Sequence, residues 1–324
     1  MAQKEDFVFC KKEEENIINE PACSYFKSVL KRFVGRKKTI FGLIIIGLII
    51  VLAIFGQYMG NYKYTDIISG EENGITIIAN NISPAWLDGG NEVAECFKDD
   101  FFIFGTDDLG RDLWARTWHG ARISLIIAFV TIFIEVLIGM TYGLISGYLG
   151  GTTDVIMQRI TEIINSVPTI VIIAVLATII PKGMILVIVA LILTEWIGMN
   201  KITRAQTLKI KEMEYIMASK TLGTRTRVII FREILPNTIG PIITQIMFSI
   251  PAAIFTEAFL SFIGVGIVPP DCSLGSLISE GFANILLYPY QMLFPIVVLA
   301  LLMLGFNALG EGFKEALMPG TEDM

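Results

Sequence analysis

The sequence of 324 residues lacks the short motifs by which many enzymes are recognised. It has no GxxxxGK[ST] loop to cradle the phosphates of ATP, no GxSxG motif around a nucleophilic serine and no HExxH pair for zinc. No credible catalytic pair takes their place. We therefore expect a chain that is not an enzyme, has no catalytic residue, carries no metal or cofactor, and leaves any ATP and Mg to other proteins.

Histidine and cysteine are scarce and poorly placed for chemistry. The single histidine, His119, has no second soft ligand nearby in sequence, which favours a residue at a membrane interface over a metal ligand. The four cysteines show no CxxC spacing. A disulfide between Cys96 and Cys272 is left open, since both fall in segments predicted to lie outside the cell.

Charge is nearly absent from several long stretches. Apolar residues make up 53% of the chain, and several runs of roughly 20 residues lack paired charges, which is enough to cross a bilayer as helices. The acids gather within residues 66–112 and the bases in the N-terminal tail and within 201–232. Cytoplasmic loops of membrane proteins carry such an excess of Lys and Arg, so nucleic-acid binding is not indicated. The pattern predicts an all-α, polytopic membrane protein.

The predicted topology has six transmembrane helices and both termini in the cytoplasm. The segments are a cytoplasmic tail (1–38), a first span acting as a signal anchor (39–59), an extracytoplasmic loop with little local structure (60–120), a core holding spans two to six (121–311) and a cytoplasmic tail (312–324). Within the core, the spans are expected at about 123–148, 157–180 with a kink at Pro168, 184–200, 238–264 and 291–309.

The longest polar segment of the core is the basic loop 201–236, placed inside the cell by its charge. Residues 212–222 favour a helix, Gly223 can take the left-handed conformation that ends one, and Thr224 is a good N-cap for a second. Pro236 is expected to stop that second helix near Ile234. Apolar residues on both helices predict docking to another protein: Met213, Ile216, Met217, Leu222, Val228, Ile229 and Phe231.

Small and acidic residues inside the spans are the remaining candidates. Gly139, Gly143, Gly147 and Gly151 recur every four residues and predict a face for close helix packing. Each glutamate in a span costs about 2.5–3.5 kcal/mol at a helix centre, so it should face a partner or water. Glu135, Glu195 and Glu257 fall in spans. For Glu257, a place in a translocation path and a plain interhelical hydrogen bond stay equally open.

The basic loop resembles the coupling segment of importer permeases in ATP-binding-cassette (ABC) transporters. Their signature is E-A-A, three residues, G, about nine residues, then I-x-L-P, and the matching residues here are Ala218, Ser219, Gly223, Leu235 and Pro236. Two positions depart from it, because Met217 replaces the glutamate and Glu233 the isoleucine. Because methionine is uncharged, Met217 argues against a single ion pair at that position. Docking of the helix itself does not depend on that ion pair.

The likeness extends over about 28–319 and is to the oligopeptide and dipeptide C-type permease subunit. The shared segments are FGTDDLGRDLWAR (104–116), GARISL (120–125), SGYLGG (146–151), EIINSVP (162–168), LSFIGVGIVPP (260–270) and FNALGEGFKEAL (306–317). A tryptophan common before Gly275 in the family is Leu274 here. The nearest likeness is to the oligopeptide branch.

This resemblance implies a type-I ABC importer permease in a bacterial or archaeal cell membrane. Its implied partners are a homologous second permease, two cytoplasmic ATPases, an extracytoplasmic peptide-binding protein and the lipid bilayer. Members of the family also carry dipeptides, nickel, glutathione and antimicrobial peptides, so those substrates remain alternatives. A non-transporting membrane scaffold or receptor is the alternative from another class, and an intramembrane enzyme and an ion-driven carrier are less well supported.

Overall fold

A computed structural model describes residues 25–72, 74–87, 95–97 and 100–317 of the chain. Within these residues the architecture is helical, apart from one small hairpin. The helices are α1 (Tyr25–Val34), α2 (Lys37–Phe55), α3 (Leu113–Glu135), α4 (Thr141–Leu149), α5 (Gly151–Asn165), α6 (Thr169–Leu176), α7 (Met184–Thr194), α8 (Trp196–Ile210), α9 (Glu214–Thr221), α10 (Thr226–Val228), α11 (Leu235–Phe262), α12 (Leu274–Ala283) and α13 (Tyr290–Leu317).

Long apolar helices dominate the described part of the chain. Five are long and apolar enough to cross a membrane: Lys37–Tyr58, Leu113–Leu149, Met184–Ile210, Thr226–Phe262 and Tyr290–Leu317. The second continues from α3 to α4 through one π-helical turn, Val136–Met140. Several of these helices extend well beyond the sequence-predicted spans. The predictions followed the apolar stretches alone, whereas the helices also include polar residues at their ends.

The third predicted span is a bent pair of helices. Gly151–Asn165 and Thr169–Leu176 meet at 75°, and counting them as one span brings the total to six. Pro168 lies in the break with extended backbone, and proline disfavours helical conformation in the residue before it. The structure confirms the kink predicted at Pro168 and makes it a full interruption.

Two apolar clusters hold the long helices together. The larger joins α2, α3, α11 and α13, with α1 packed against it through Val29 and Phe33. The second joins α3, α6, α7 and α11 around Ile127, Ile173 and Leu191. The spans therefore form one packed bundle around α3 and α11.

The segment between α2 and α3 carries more structure than expected. Strands β1 (Ser69–Glu72) and β2 (Ile75–Ile78) form an antiparallel hairpin in which Ser69 pairs with Ile78. Beneath it lies a small apolar cluster formed by Ile68, Ala79, Phe97 and Phe102. This cluster gives the segment a core of its own. The sequence did not predict that core, because the segment lacks strong hydrophobic periodicity.

A buried ion-pair network fastens this segment to the bundle. Arg116 on α3 is fully buried, and its guanidinium lies 2.5 Å from the carboxylate of Asp107 and 2.7 Å from that of Glu280 on α12. Arg111 joins the same two carboxylates. A buried charge needs such partners, because an unpaired one is costly. The shared motif 104–116 thus holds α3, α12 and the hairpin segment together.

The two described cysteines are not joined, so a disulfide between them is excluded in this structure. Cys96 lies against β1 at Gly70. Cys272 is buried beside α3, where its thiol donates to the carbonyl of Arg116 at 3.5 Å. Sequence alone could not separate these sites, because it does not show which loop segments meet. Cys10 and Cys23 lie outside the described residues.

The thiols of Cys96 and Cys272 should differ sharply in reactivity. Burial raises the pKa of Cys272 to about 11, so near pH 8 only about one thiol in a thousand is ionised there. We expect maleimide to label Cys96 and to spare Cys272 until the protein is denatured. Mass spectrometry of labelled peptides measures this, and rapid labelling of Cys272 in the folded protein would contradict the buried placement.

Candidate functional site

The turn between α9 and α10 has the conformation predicted at Gly223. Its φ is +77°, the N–H of Gly223 donates to the carbonyl of Lys220, and that of Thr224 donates to Ser219. These two bonds form a Schellman motif, which ends a helix with a left-handed residue. A Cβ at Gly223 would contact nothing within 4 Å, so glycine is required here by backbone conformation and not by space.

Helix α9 is attached to the bundle along one narrow edge. Ile216 is buried against Ile210, Ile229, Ile230 and Ile234. The rest of α9 is open, and the apolar residues exposed beside Ile216, before the helix and in the turn are Met213, Tyr215, Met217 and Leu222, the last 85% exposed. Of the apolar residues predicted to dock, Ile216 and Ile229 instead face inward, because both belong to the buried cluster that joins α9 to the bundle.

The matching signature residues occupy different environments. Ala218 is exposed and Ser219 half-buried on α9, while Leu235 packs against the cluster of Ile216 and Pro236 is exposed at the start of α11. Met217 is exposed on α9 beside Ala218. A role for these residues in coupling to an ATPase stays a prediction.

Two expectations for the second helix were wrong. Thr224 does not cap it, because the residue before α10 is Arg225, which makes no side-chain cap bond. Pro236 does not stop it either, since α10, a π-helical segment (Ile229–Ile234) and α11 run on as one 37-residue span. Pro236 lies in the first turn of α11, where proline is tolerated, and the wider π segment precedes it.

The repeated glycines of α4 and the π turn lie against α8. A Cβ at Gly139 would be 2.5 Å from the carbonyl oxygen of Trp196, one at Gly143 2.7 Å from that of Asn200, and one at Gly147 3.0 Å from that of Arg204. Backbones this close leave no room for a side chain. Gly151 does not share this face, because α4 ends at Leu149 and nothing lies within 4 Å of its Cβ position.

Glu257 lies inside the chain and lines no described pocket. Its carboxylate accepts hydrogen bonds from Ser124 at 2.7 Å and Ser261 at 2.8 Å, and it has no exposed surface. Ser124 belongs to α3 and Glu257 to α11. Of the two roles left open by the sequence, this geometry supports the interhelical hydrogen bond and argues against a place in a path.

A polar pocket of about 330 Å³ lies elsewhere among the spans. It is bounded by Glu135, the break between α5 and α6, Glu195, Lys201 and the Gln245–Ser249 turn of α11. The sequence marked Glu135 and Glu195 as costly residues inside spans, but it did not show that they share a cavity. The two glutamates are far apart in the chain, so the sequence gives no indication that they share a pocket.

These features define a multi-pass membrane component with an exposed helical loop. Residues 139–323 match the family model described as binding-protein-dependent transport system inner membrane component. The chain belongs to this family of non-catalytic transport components, in which ATP is bound by partner subunits. Residues 24–84 also match the N-terminal TM domain of oligopeptide transport permease C.

The similarity to individual relatives extends over nearly the whole chain. It is 39% identical to the oligopeptide transport system permease protein OppC of Bacillus subtilis, covering 93% of this chain and 92% of the relative. It is 37% identical to the dipeptide transport system permease protein DppC of the same organism, covering 95% and 90%. OppC of Escherichia coli is 34% identical, with 91% of each chain covered.

A solved structure shares the fold. An inward-facing conformation of the MetNI methionine ABC transporter matches with a TM-score of 0.53 and 20% identity, covering 63% of this chain and 96% of that chain. This match confirms the predicted ABC importer permease fold. At this identity it supports the fold alone.

Proposed function

We propose that this chain is the C-type permease subunit of an ABC importer for oligopeptides. It forms half of a translocation path with a homologous second permease and is driven by two cytoplasmic ATPases. An extracytoplasmic peptide-binding protein delivers the substrate. The observation that carries this proposal is the open face of α9, joined through the Gly223 turn to a helix that continues as α11.

The continuous helix gives coupling a physical route. An ATPase that binds Met213, Met217 and Leu222 would move α9, and the cluster around Ile216 connects α9 to the π segment that leads into α11. A rigid helix transmits displacement along its length, whereas a flexible loop would absorb it. Closure of the ATPases thereby changes the packing of the membrane helices.

The proposed substrate follows from the printed functions of the relatives. The oligopeptide permease and the dipeptide permease of Bacillus subtilis are almost equally similar to this chain. The match of residues 24–84 to an oligopeptide permease domain favours oligopeptides. Dipeptides are the second candidate, supported by the 37% identity of the dipeptide permease.

The test is reconstitution of the complete complex. Affinity purification of this chain from its own cells should recover a second permease and two ATPases, and proteoliposomes of the complex with its binding protein should take up peptides. Longer peptides should be taken up in preference to dipeptides, and this chain alone should hydrolyse no ATP. Recovery of neither ATPases nor a second permease would instead support a scaffold.

The proposed orientation places both termini and the α9 loop in the cytoplasm. Single cysteines at Ser69 on β1 and Lys220 on α9, both exposed positions, test it in a chain without native cysteines. We expect an impermeant maleimide added to intact cells to label the residue at 69 and not the residue at 220. Labelling of both from the same side would contradict the six-span topology.

A further inference from the structure

The polar pocket among the spans is built differently from the other buried polar contacts. Glu135 comes from the end of α3, Glu195 from the junction of α7 and α8, and Ser249 from α11, so three long spans converge on it. Asn165 and Thr169 contribute the broken backbone between α5 and α6. Irregular backbone among membrane helices is found where it is buried in protein or lines a water-filled cavity.

The two carboxylates of this pocket are incompletely bonded. Glu135 is 3% exposed, and one of its oxygens accepts a hydrogen bond from Ser249 at 2.9 Å. Its other oxygen has no partner among the described residues, and the carboxylate of Glu195 makes neither a hydrogen bond nor an ion pair with any of them. Glu257 is the contrast, because serines bond both of its oxygens. The acids of the pocket therefore retain the capacity to bind a ligand.

The pocket has more acidic than basic side chains in its lining. Lys201 supplies one positive charge against the two carboxylates. Helix α5 ends at Asn165 beside the pocket, and the carbonyl end of a helix carries a partial negative charge. A ligand that suits this site is a cation with several hydrogen-bond donors. A primary ammonium group, with three donors and no acceptor, has that chemistry.

We propose that Glu135 and Glu195 bind an ammonium group of the peptide as it passes through the membrane. The inference rests on the proposed function, since every unblocked peptide carries an ammonium at its N-terminus. Ser249 and Gln245 orient Glu135: Ser249 donates to that carboxylate and accepts from the amide of Gln245 at 3.3 Å. The pocket is thus a passage site for one charged end of the substrate.

Neutral replacements test the two acids in the reconstituted complex with its second permease, ATPases and binding protein. Glu135→Gln and Glu195→Gln should each lower peptide uptake about tenfold, as loss of a charge-assisted hydrogen bond does. Substrate-stimulated ATP hydrolysis should stay within about twofold, because the α9 loop is unchanged. Glu162→Gln is the matched control, since Glu162 is an exposed acid on α5 that pairs with Arg159 and lies outside the pocket.

Chemical modification then tests charge separately from shape. Glu195→Cys, in a chain without native cysteines, is treated with a methanethiosulfonate that adds a sulfonate or with one of similar size that adds a trimethylammonium. We expect the sulfonate to restore at least half of the lost uptake and the trimethylammonium to restore none. Equal effects of the two reagents would overturn the proposal, since it depends on negative charge.

Two further outcomes count against the ammonium site. Wild-type uptake by the Gln variants would overturn it directly. Loss of the second permease from the Gln variants on size-exclusion chromatography would show that the acids bind the partner subunit instead. Failure of the unmodified complex to transport any peptide would overturn the proposed function itself, so the two failures are distinguishable.

Discussion

Replacement of Gly143 by alanine is expected to lower the stability of the folded chain by about 1–3 kcal/mol, the usual cost of overpacking. The new Cβ would lie 2.7 Å from the carbonyl oxygen of Asn200 and 2.8 Å from the Cβ of Thr203. The first of these is backbone, which cannot rotate away as the end of a side chain can. Helices α4 and α8 must then separate, and leucine at the same position should prevent folding.

The matched control is Gly47→Ala, a glycine of α2 with nothing within 4 Å of its Cβ position. Both variants can be compared by yield from membranes and by the midpoint of thermal aggregation in detergent. Gly143→Ala should aggregate at a clearly lower temperature than the control, with loss of yield for Gly143→Leu. Normal stability combined with altered substrate preference would mean that the glycine face lines the path.

Replacement of Gly223 by valine should uncouple the complex and leave it assembled. A β-branched residue at a φ of +77° costs about 1–2 kcal/mol, so the turn shifts and α9 tilts away from its dock. The spans are untouched, because the Cβ position of residue 223 contacts nothing. Uptake and substrate-stimulated ATP hydrolysis should therefore fall together, while peptide binding by the separate binding protein is unchanged.

Asparagine at the same position provides the control for conformation. Asn adopts the left-handed region more readily than other residues with a side chain, so Gly223→Asn should retain most of the coupling that Gly223→Val loses. Uptake, ATP hydrolysis and co-purification of the second permease are measured in parallel for the three proteins. A well-assembled valine variant with full uptake would show that this turn does not couple ATP hydrolysis to transport.

The amino-acid sequence by itself determined the features that depend on neighbouring residues. The apolar runs indicated the spans, Pro168 indicated the break in the third, and Gly223 indicated a left-handed turn. Each signal is local, since a proline or glycine restricts or frees its own backbone wherever it stands. The motifs surrounding these residues were also sufficient to indicate the family.

The tertiary structure alone decided what each polar residue in a span does. Glu135, Glu195 and Glu257 look alike in sequence. In the structure, the carboxylate of Glu257 accepts hydrogen bonds from two serines, whereas the other two glutamates line a cavity. Pro236 likewise indicates the end of a helix in the sequence, but in the structure it lies in the first turn of α11. The physical reason is that partners and cavities are formed by residues far apart in the chain, and their energies exceed local preferences.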